Sequence, residues 1–487
     1  MTHSARPAVL FAALALFFFV FLEATLFYQT SMSTLTSSAK SSLSQFPIQG
    51  ASALGLLAFS GLNRFTSPNT RPLAVGFLTA IGIVSLIGVA SAPAPLALAN
   101  AGAVAFFLIG LAGGAVYWAA CVSLRRSKHF ATLIGGSHAL GIMAQVPFYA
   151  LTPNRFGEAL LLCISIVVLG ILVAKTWPDP SAGLLMPRPR ANAPQRRIRP
   201  QFPCDWRIDH LKPRSALVLL IALMLMFATL FNTLYNLVLP GQAWTSQYSL
   251  VMPRVMLSIG GLCAGLLFDL RRARYMGIAM FWVSVLCVAA VFGLEAGMPD
   301  RVGRVAFFLG SGAFITFYTA TFIWIAPYLK APALWAGMGR VISNLTAIAF
   351  DAPALLLIQS GNTLAVTTAM LPLLVGINAL LFAIGMLDLR IPDAGSKSTA
   401  ESPQAAAQPG QDAELSPEQR IQHFSVRYNL TPRECDVLAA TVTSEQPLKQ
   451  VAADLGISMR VVQRHLTSIY EKTNTQTRIG LTKLFWE

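Results

Sequence analysis

Charge is the scarcest property of this chain. Of its 487 residues only 12% are Asp, Glu, Lys or Arg, while 55% are apolar. Soluble chains carry about 25% charged residues. The deficit excludes an ordinary soluble enzyme, and long recurring apolar runs exclude a disordered or collagen-like chain. Cysteine is sparse as well. Cys121, Cys163, Cys204, Cys263, Cys287 and Cys435 form no C-x-x-C pair, which excludes a disulfide framework. The six histidines are scattered and no cluster has metal-ligand spacing. No cofactor motif and no catalytic constellation is visible, so neither enzyme activity, cofactor nor metal is expected. Acidic residues are short in the first 390 positions, with 10 Asp+Glu against 26 Lys+Arg. Residues 391–487 are nearly balanced, with 11 against 10. The basic excess therefore lies in the apolar part, where it sets membrane topology.

What the chain has in quantity is membrane-length apolar sequence. A span needs about 20 residues. Such runs fall near 7–29, 46–63, 72–91, 97–120, 129–151, 157–176, 215–239, 248–268, 275–294, 303–328, 332–358 and 364–387. The first follows Arg6 as a signal peptide would. It continues to about Tyr28 without a small-x-small cleavage site, and reads as an uncleaved membrane helix.

Loop charges orient the spans. Arg64, Arg71, Arg125, Arg126, Lys128, Arg271, Arg272, Arg274 and Lys330 fall on one side, with a basic loop at 177–214. The other side holds little beyond Lys40, Arg155 and Arg301. The positive-inside rule then puts both termini in the cytoplasm. Six spans, a long basic loop and six spans resemble the major facilitator fold. Gly265-Leu-Leu-Phe-Asp269-Leu-Arg271-Arg272-Ala-Arg274 is similar to that family's loop motif between the second and third helices of a half, departing at Leu270 and Arg272. An aspartate at such a helix end can latch neighbouring helices.

Ionisable groups within the spans are Glu23, His138, Arg254, Arg340 and Asp351. Arg or Asp at a span centre costs about 2.5–3.5 kcal/mol on insertion scales. Each must face a cavity or another of the set, as ligand contacts or as ion-pair partners. Glu23, Arg254 and Asp351 fall in the outer half by the topology above. A cavity there holds Arg254 between carboxylates, or offers it to an acidic small-molecule ligand that competes with one of them. Gly110-x-x-x-Gly114 and Gly261-x-x-x-Gly265 allow close helix approach. Tyr117, Trp118, Tyr318 and Trp324 are candidates for a cavity wall or for plain packing. The 177–214 loop suits anionic lipid headgroups or a topogenic linker.

Composition changes at Ile391. The Pro/Ser/Ala/Gln-rich stretch to about residue 414 cannot form a core. Beyond it the pattern is helical. Ser416-Pro417-Glu418 and Thr431-Pro432-Arg433-Glu434 are helix starts, the second a capping box. A short helix over 448–454, a turn at Gly456 and a longer helix from Ser458 to about Thr473 make a helix-turn-helix. A last helix covers 477–485. Leu430-Thr-Pro-Arg-Glu434, Val437-Leu438, Val451-Ala452, Leu455-Gly-Ile-Ser458, Val462, His465-Leu466 and Ile469-Tyr470-Glu-Lys472 resemble the LuxR-type (NarL-type) DNA-binding domain. Val461, Gln463 and the Ser444-Glu-Gln-Pro447 turn differ from its usual pattern.

Gln463, Arg464 and Thr467 share one face of the longer helix, where Gln suits adenine and Arg suits guanine. The resemblance implies base reading at these positions. Lys449, Ser458, Arg460 and Lys472 are placed for phosphates. The whole reads as an all-α chain. It has membrane halves at 1–176 and 215–390, joined by loop 177–214, then linker 391–414 and the DNA-binding domain 415–487. The expected function is a membrane-embedded transcriptional regulator, and the rival is a major-facilitator transporter with a regulatory or dimerisation tail. Expected partners are double-stranded DNA, membrane lipids, a small-molecule ligand of unknown identity and a second copy joined through the C-terminal domain.

Overall fold

The computed structural model describes residues 7–36, 45–124, 127–151, 154–178, 213–238, 247–270, 275–329, 331–351 and 363–384, parts of 353–361, and most of 421–486. The helix start at Ser416, the linker and the bulk of the basic loop lie outside the described residues. The chain forms two compact units, residues 1–390 and 391–487.

The first unit is a bundle of helices. The first six apolar runs give α1 (Pro7–Ser33), α2 (Gln45–Phe65), α3 (Arg71–Ser91), α4 (Pro95–Ser123), α5 (Phe130–Met143) with α6 (Gln145–Leu151), and α7 (Arg155–Thr176). The last six give α8 (Pro213–Val238), α9 (Gln247–Asp269), α10 (Met276–Glu295), α11 (Asp300–Ile325), α12 (Pro332–Trp335) with α13 (Met338–Thr346), and α14 (Thr363–Ile384). Among the described residues, nine of these helices are long and apolar enough to cross a membrane. The exceptions have local causes. α2 is diluted by Gln45, Gln49, Ser52 and Asn63. The fifth run breaks at Ala144, because Pro147 lacks an amide for the carbonyl of Met143 and its ring crowds that carbonyl. The eleventh breaks at Ala336–Gly337 and ends in a π-helical turn over Ala347–Asp351.

Burial sorts the helices. α1 is apolar all round, as an interior helix must be, and α1 and α11 are buried over most of their length. α3, α7 and α14 expose much of their apolar surface, including Phe77, Phe156, Leu160, Val375 and Phe382, as lipid-facing helices do. The seam between the two sets of six runs along α5 against α9 and α2 against α13. Glycine permits the first contact. A Cβ on Gly135 would stand 2.2 Å from the carbonyl oxygen of Gly261, and one on Gly265 would stand 2.6 Å from that of Ala131. The Gly261-x-x-x-Gly265 pair is thus the place where the two sets touch backbone to backbone.

The second unit is a small helical domain with its own core of Val437, Leu438, Val451, Val462, Leu466, Ile469, Leu481 and Phe485. Its helices are α15 (Pro432–Val442), α16 (Leu448–Asp454), α17 (Met459–Thr473) and α18 (Arg478–Trp486). Phe424, from the stretch before α15, packs on Phe485 with ring centroids 5.4 Å apart.

Candidate nucleic-acid interface and membrane site

The turn between α16 and α17 is made by Gly456, whose φ of 62° only glycine adopts cheaply. α17 starts with the Ser458 carbonyl accepting from the amides of Val461 and Val462, at 2.9 and 3.2 Å. The helix buries Val462, Leu466, Ile469 and Thr473 and leaves Arg460, Gln463, Arg464 and Thr467 exposed. Gln463 and Arg464 therefore stand on solvent beside Thr467, whose hydroxyl is turned back onto the Gln463 carbonyl at 2.9 Å. Ser458 and Arg460 are exposed at the start of the same helix. The side chain of Lys449 lies outside the described residues.

Glu434 fixes this helix against α15. Its carboxylate accepts from the Thr431 amide at 2.7 Å, and its own amide donates to the Thr431 hydroxyl at 3.3 Å, closing the capping box. It also accepts from the Ser468 hydroxyl at 2.7 Å and pairs with the Lys472 ammonium. Burial works against the Glu434 charge. Lys472, the Thr431 amide and hydroxyl, and Ser468 outweigh it and hold the carboxyl at about 2. Lys472, placed by sequence with the phosphate contacts, is engaged by Glu434. The pairing was readable from residue types but not from spacing, because 38 positions separate the two residues.

In the membrane unit the ionisable residues fall into two groups. The first is a relay. Glu23 of α1 is fully buried, and its carboxylate accepts from the Gln145 side-chain amide at 2.7 Å. The Gln145 carbonyl accepts from Arg254 Nε at 3.1 Å. Gln145 was absent from the sequence-derived set. It stands at the break that Pro147 imposes, which was the available signal. Arg254 thus reaches Glu23 through an amide, and the Asp351 side chain lies outside the described residues.

The second group surrounds Arg340, on α13. Its guanidinium lies 4.8 Å from the centre of the Phe21 ring and 5.5 Å from that of Tyr318. No carboxylate among the described residues pairs with it, and its Nε has no hydrogen-bond partner. It is 8% exposed. His138, 1% exposed, has neither ring nitrogen bonded among the described residues and packs edge-on against Phe18, with centroids 4.9 Å apart. The buried hydroxyls of Tyr117, Tyr318 and Thr319 make no well-formed hydrogen bond among the described residues, and Tyr117 lies within loose reach of Arg340 and Thr319. Arg340 is within electrostatic reach of Tyr117, Tyr318 and His138. A cation–π contact contributes about 0.5–2 kcal/mol, whereas burying an ion costs several kcal/mol. Among the described residues, two rings and a loose contact from the Tyr117 hydroxyl therefore leave the Arg340 charge incompletely compensated. Elsewhere, an apolar pocket between α2, α3, α4 and α7, walled by Phe59, Val75, Leu108, Ile166 and Trp177, has no charged side chain on its lining.

Comparison with known proteins separates the two units. Residues 428–485 match the family described as bacterial regulatory proteins, luxR family. In structure the chain is similar to the human organic anion transporter MFSD10 (TETRAN), with TM-score 0.51 and 14% identity over 77% of this chain and 98% of that one. It is similar to a bacterial homologue of the iron transporter ferroportin in an outward-facing state, with TM-score 0.53 and 12% identity over 78% and 99%. The E. coli fucose:proton symporter FucP gives 0.52 and 14% over 77% and 96%. No curated protein matches the chain. At these identities the structural likeness shows the fold. A LuxR-family DNA-binding domain follows a membrane unit with the major facilitator fold.

Proposed function

We propose that this protein is a membrane-embedded transcriptional regulator in which the transporter-like unit senses a small molecule and controls the DNA-binding tail. The observation that carries the reading is the exposed Gln463–Arg464–Thr467 face on the second helix of a helix-turn-helix, on a chain whose remainder has a membrane fold. Base edges specify and phosphates position. Gln463, Arg464 and Thr467 take the first role. Arg460, Ser458 and Lys449, around the start of α17, take the second. A ligand that binds one arrangement of the two helix sets more tightly shifts the population of DNA-competent tails.

The reading places the protein in a bacterial inner membrane with twelve spans, both termini and loop 177–214 being cytoplasmic. The basic loops then face the anionic leaflet, and the tail reaches DNA next to the membrane. It assigns the protein no catalytic step.

The test is a gel-shift of the isolated tail, residues 415–487, against a library of duplexes, with reporter fusions at Glu487 and near Arg197. Selective duplex binding and cytoplasmic signals at both positions are expected. Salt-sensitive binding without sequence preference, or an external signal from either fusion, contradicts the reading.

A further inference from the structure

We propose that the buried group around Arg340 is a binding site for a small organic monocarboxylate, gripped by both sets of six helices. That this anion is the regulatory signal rests on the function proposed above; the binding itself does not. Three observations converge. First, Arg340 is a buried cation without a counter-ion among the described residues. Second, the buried groups beside it are rich in donors that make no well-formed hydrogen bond among the described residues: the hydroxyls of Tyr117, Tyr318 and Thr319, and the His138 ring. A carboxylate brings two oxygens with about four acceptor sites and matches a guanidinium edge bidentately. One formal positive charge suits a monoanion and leaves a phosphate dianion half neutralised. The Phe21 and Tyr318 rings beside the guanidinium suit an apolar body attached to the carboxylate.

Third, two other charged side chains of this unit, Arg254 and Asp269, are half-buried and engaged. Arg254 Nε donates to Gln145, and Asp269 accepts from the start of α5. With Arg254 bonded to Gln145, the proposal assigns the acidic ligand to Arg340. Tyr117 and His138 come from α4 and α5, while Tyr318, Thr319 and Arg340 come from α11 and α13. An anion held by both groups favours the arrangement that brings them together, and its loss releases that preference.

The test uses the purified full-length protein in detergent, with thermal unfolding followed during titration. The probes are benzoate and hexanoate, their uncharged counterparts benzamide and hexanamide, and chloride and nitrate as inorganic anions. A ligand that binds the folded state raises the unfolding midpoint in a saturable way. At least one carboxylate is expected to do so while its amide does not. Arg340→Gln should weaken that effect at least tenfold. Tyr117→Phe and Tyr318→Phe, which keep the charge and the ring packing, should weaken it severalfold without lowering the ligand-free midpoint. If Arg340→Gln fails to accumulate, the two tyrosine variants decide alone. The proposal is overturned if neither carboxylate shifts the wild type, if the amides shift it equally, or if the tyrosine variants bind as the wild type does. It is also overturned if only chloride or nitrate saturates, since the site then takes an inorganic ion. A carboxylate that binds through these residues but leaves transcription unchanged in cells refutes the regulatory reading and leaves the site standing.

Discussion

Asp269 and Thr132 tie the two sets of helices together at the ends of α9 and α5. The Asp269 carboxylate accepts from the Thr132 hydroxyl at 2.6 Å and from the amides of Thr132 and Ala131, both at 2.8 Å. Amides in the first turn of a helix have no partner within it, and a carboxylate there also meets the positive end of the helix dipole. The aspartate thus latches the glycine-mediated α5–α9 crossing from its end.

Removing that latch should loosen the seam. An N-cap side chain is worth about 0.5–2 kcal/mol. Asp269→Ala should lower the thermal midpoint of the purified protein, and Asp269→Asn, which keeps one acceptor, should lower it less. Equal midpoints for all three proteins would show that the latch adds no stability.

Gln145 should be sensitive for a different reason. It takes a hydrogen bond from Arg254 and gives one to Glu23 inside the bundle. A buried group that loses its partner costs about 1–3 kcal/mol, more when it is charged. Gln145→Leu should therefore destabilise the membrane unit by at least that amount, seen as reduced accumulation and a lower unfolding midpoint. Wild-type stability would mean that Glu23 and Arg254 do not depend on it.

The tail should lose stability in acid through Glu434. Its carboxyl is held at about 2, below the ordinary value of 4.5. A group depressed in the folded state stabilises above its unfolded pKa and stops doing so as pH falls through the folded one. The contribution is complete above about pH 4.5 and fades toward pH 2. Glu434→Gln should flatten the midpoint-against-pH curve of residues 415–487 across that window. An unchanged slope would assign the acid sensitivity to other groups.

The reading face makes a graded prediction. Arg464→Ala and Gln463→Ala should each cost about 1–3 kcal/mol of discrimination at the base they read. Arg460→Ala should weaken binding evenly across sequences and reduce the salt slope by about 1. Competition gel-shifts at several salt concentrations separate the two patterns. The assignment fails if Arg460→Ala changes sequence preference and Arg464→Ala does not.

How much of this was legible in sequence depended on whether a feature is local. The apolar runs, the capping box at Thr431–Glu434 and the Gly456 turn are written within a few residues, and the structure forms each of them. The Gly261-x-x-x-Gly265 approach and the Asp269 latch were legible in kind, but their partners on α5 are more than 125 positions away, and no local pattern names them. The Glu23–Gln145–Arg254 relay was half legible. The two charges stand out against apolar sequence, whereas a neutral glutamine beside a proline does not. The contrast between Arg254, bonded to Gln145, and Arg340, with no carboxylate partner among the described residues, was not legible at all, because it depends on which side chains the packing brings within reach.

The most direct measurement is chromatin immunoprecipitation of the full-length, membrane-inserted protein beside transcript profiles of a deletion strain and an Arg464→Ala strain. A membrane-embedded regulator predicts enrichment at a limited set of promoters, loss of that enrichment in Arg464→Ala at normal membrane levels, and the same changed genes in both strains. Transcripts altered by deletion but untouched by Arg464→Ala, with no promoter enriched, would contradict it and leave the membrane unit acting without the DNA-binding tail.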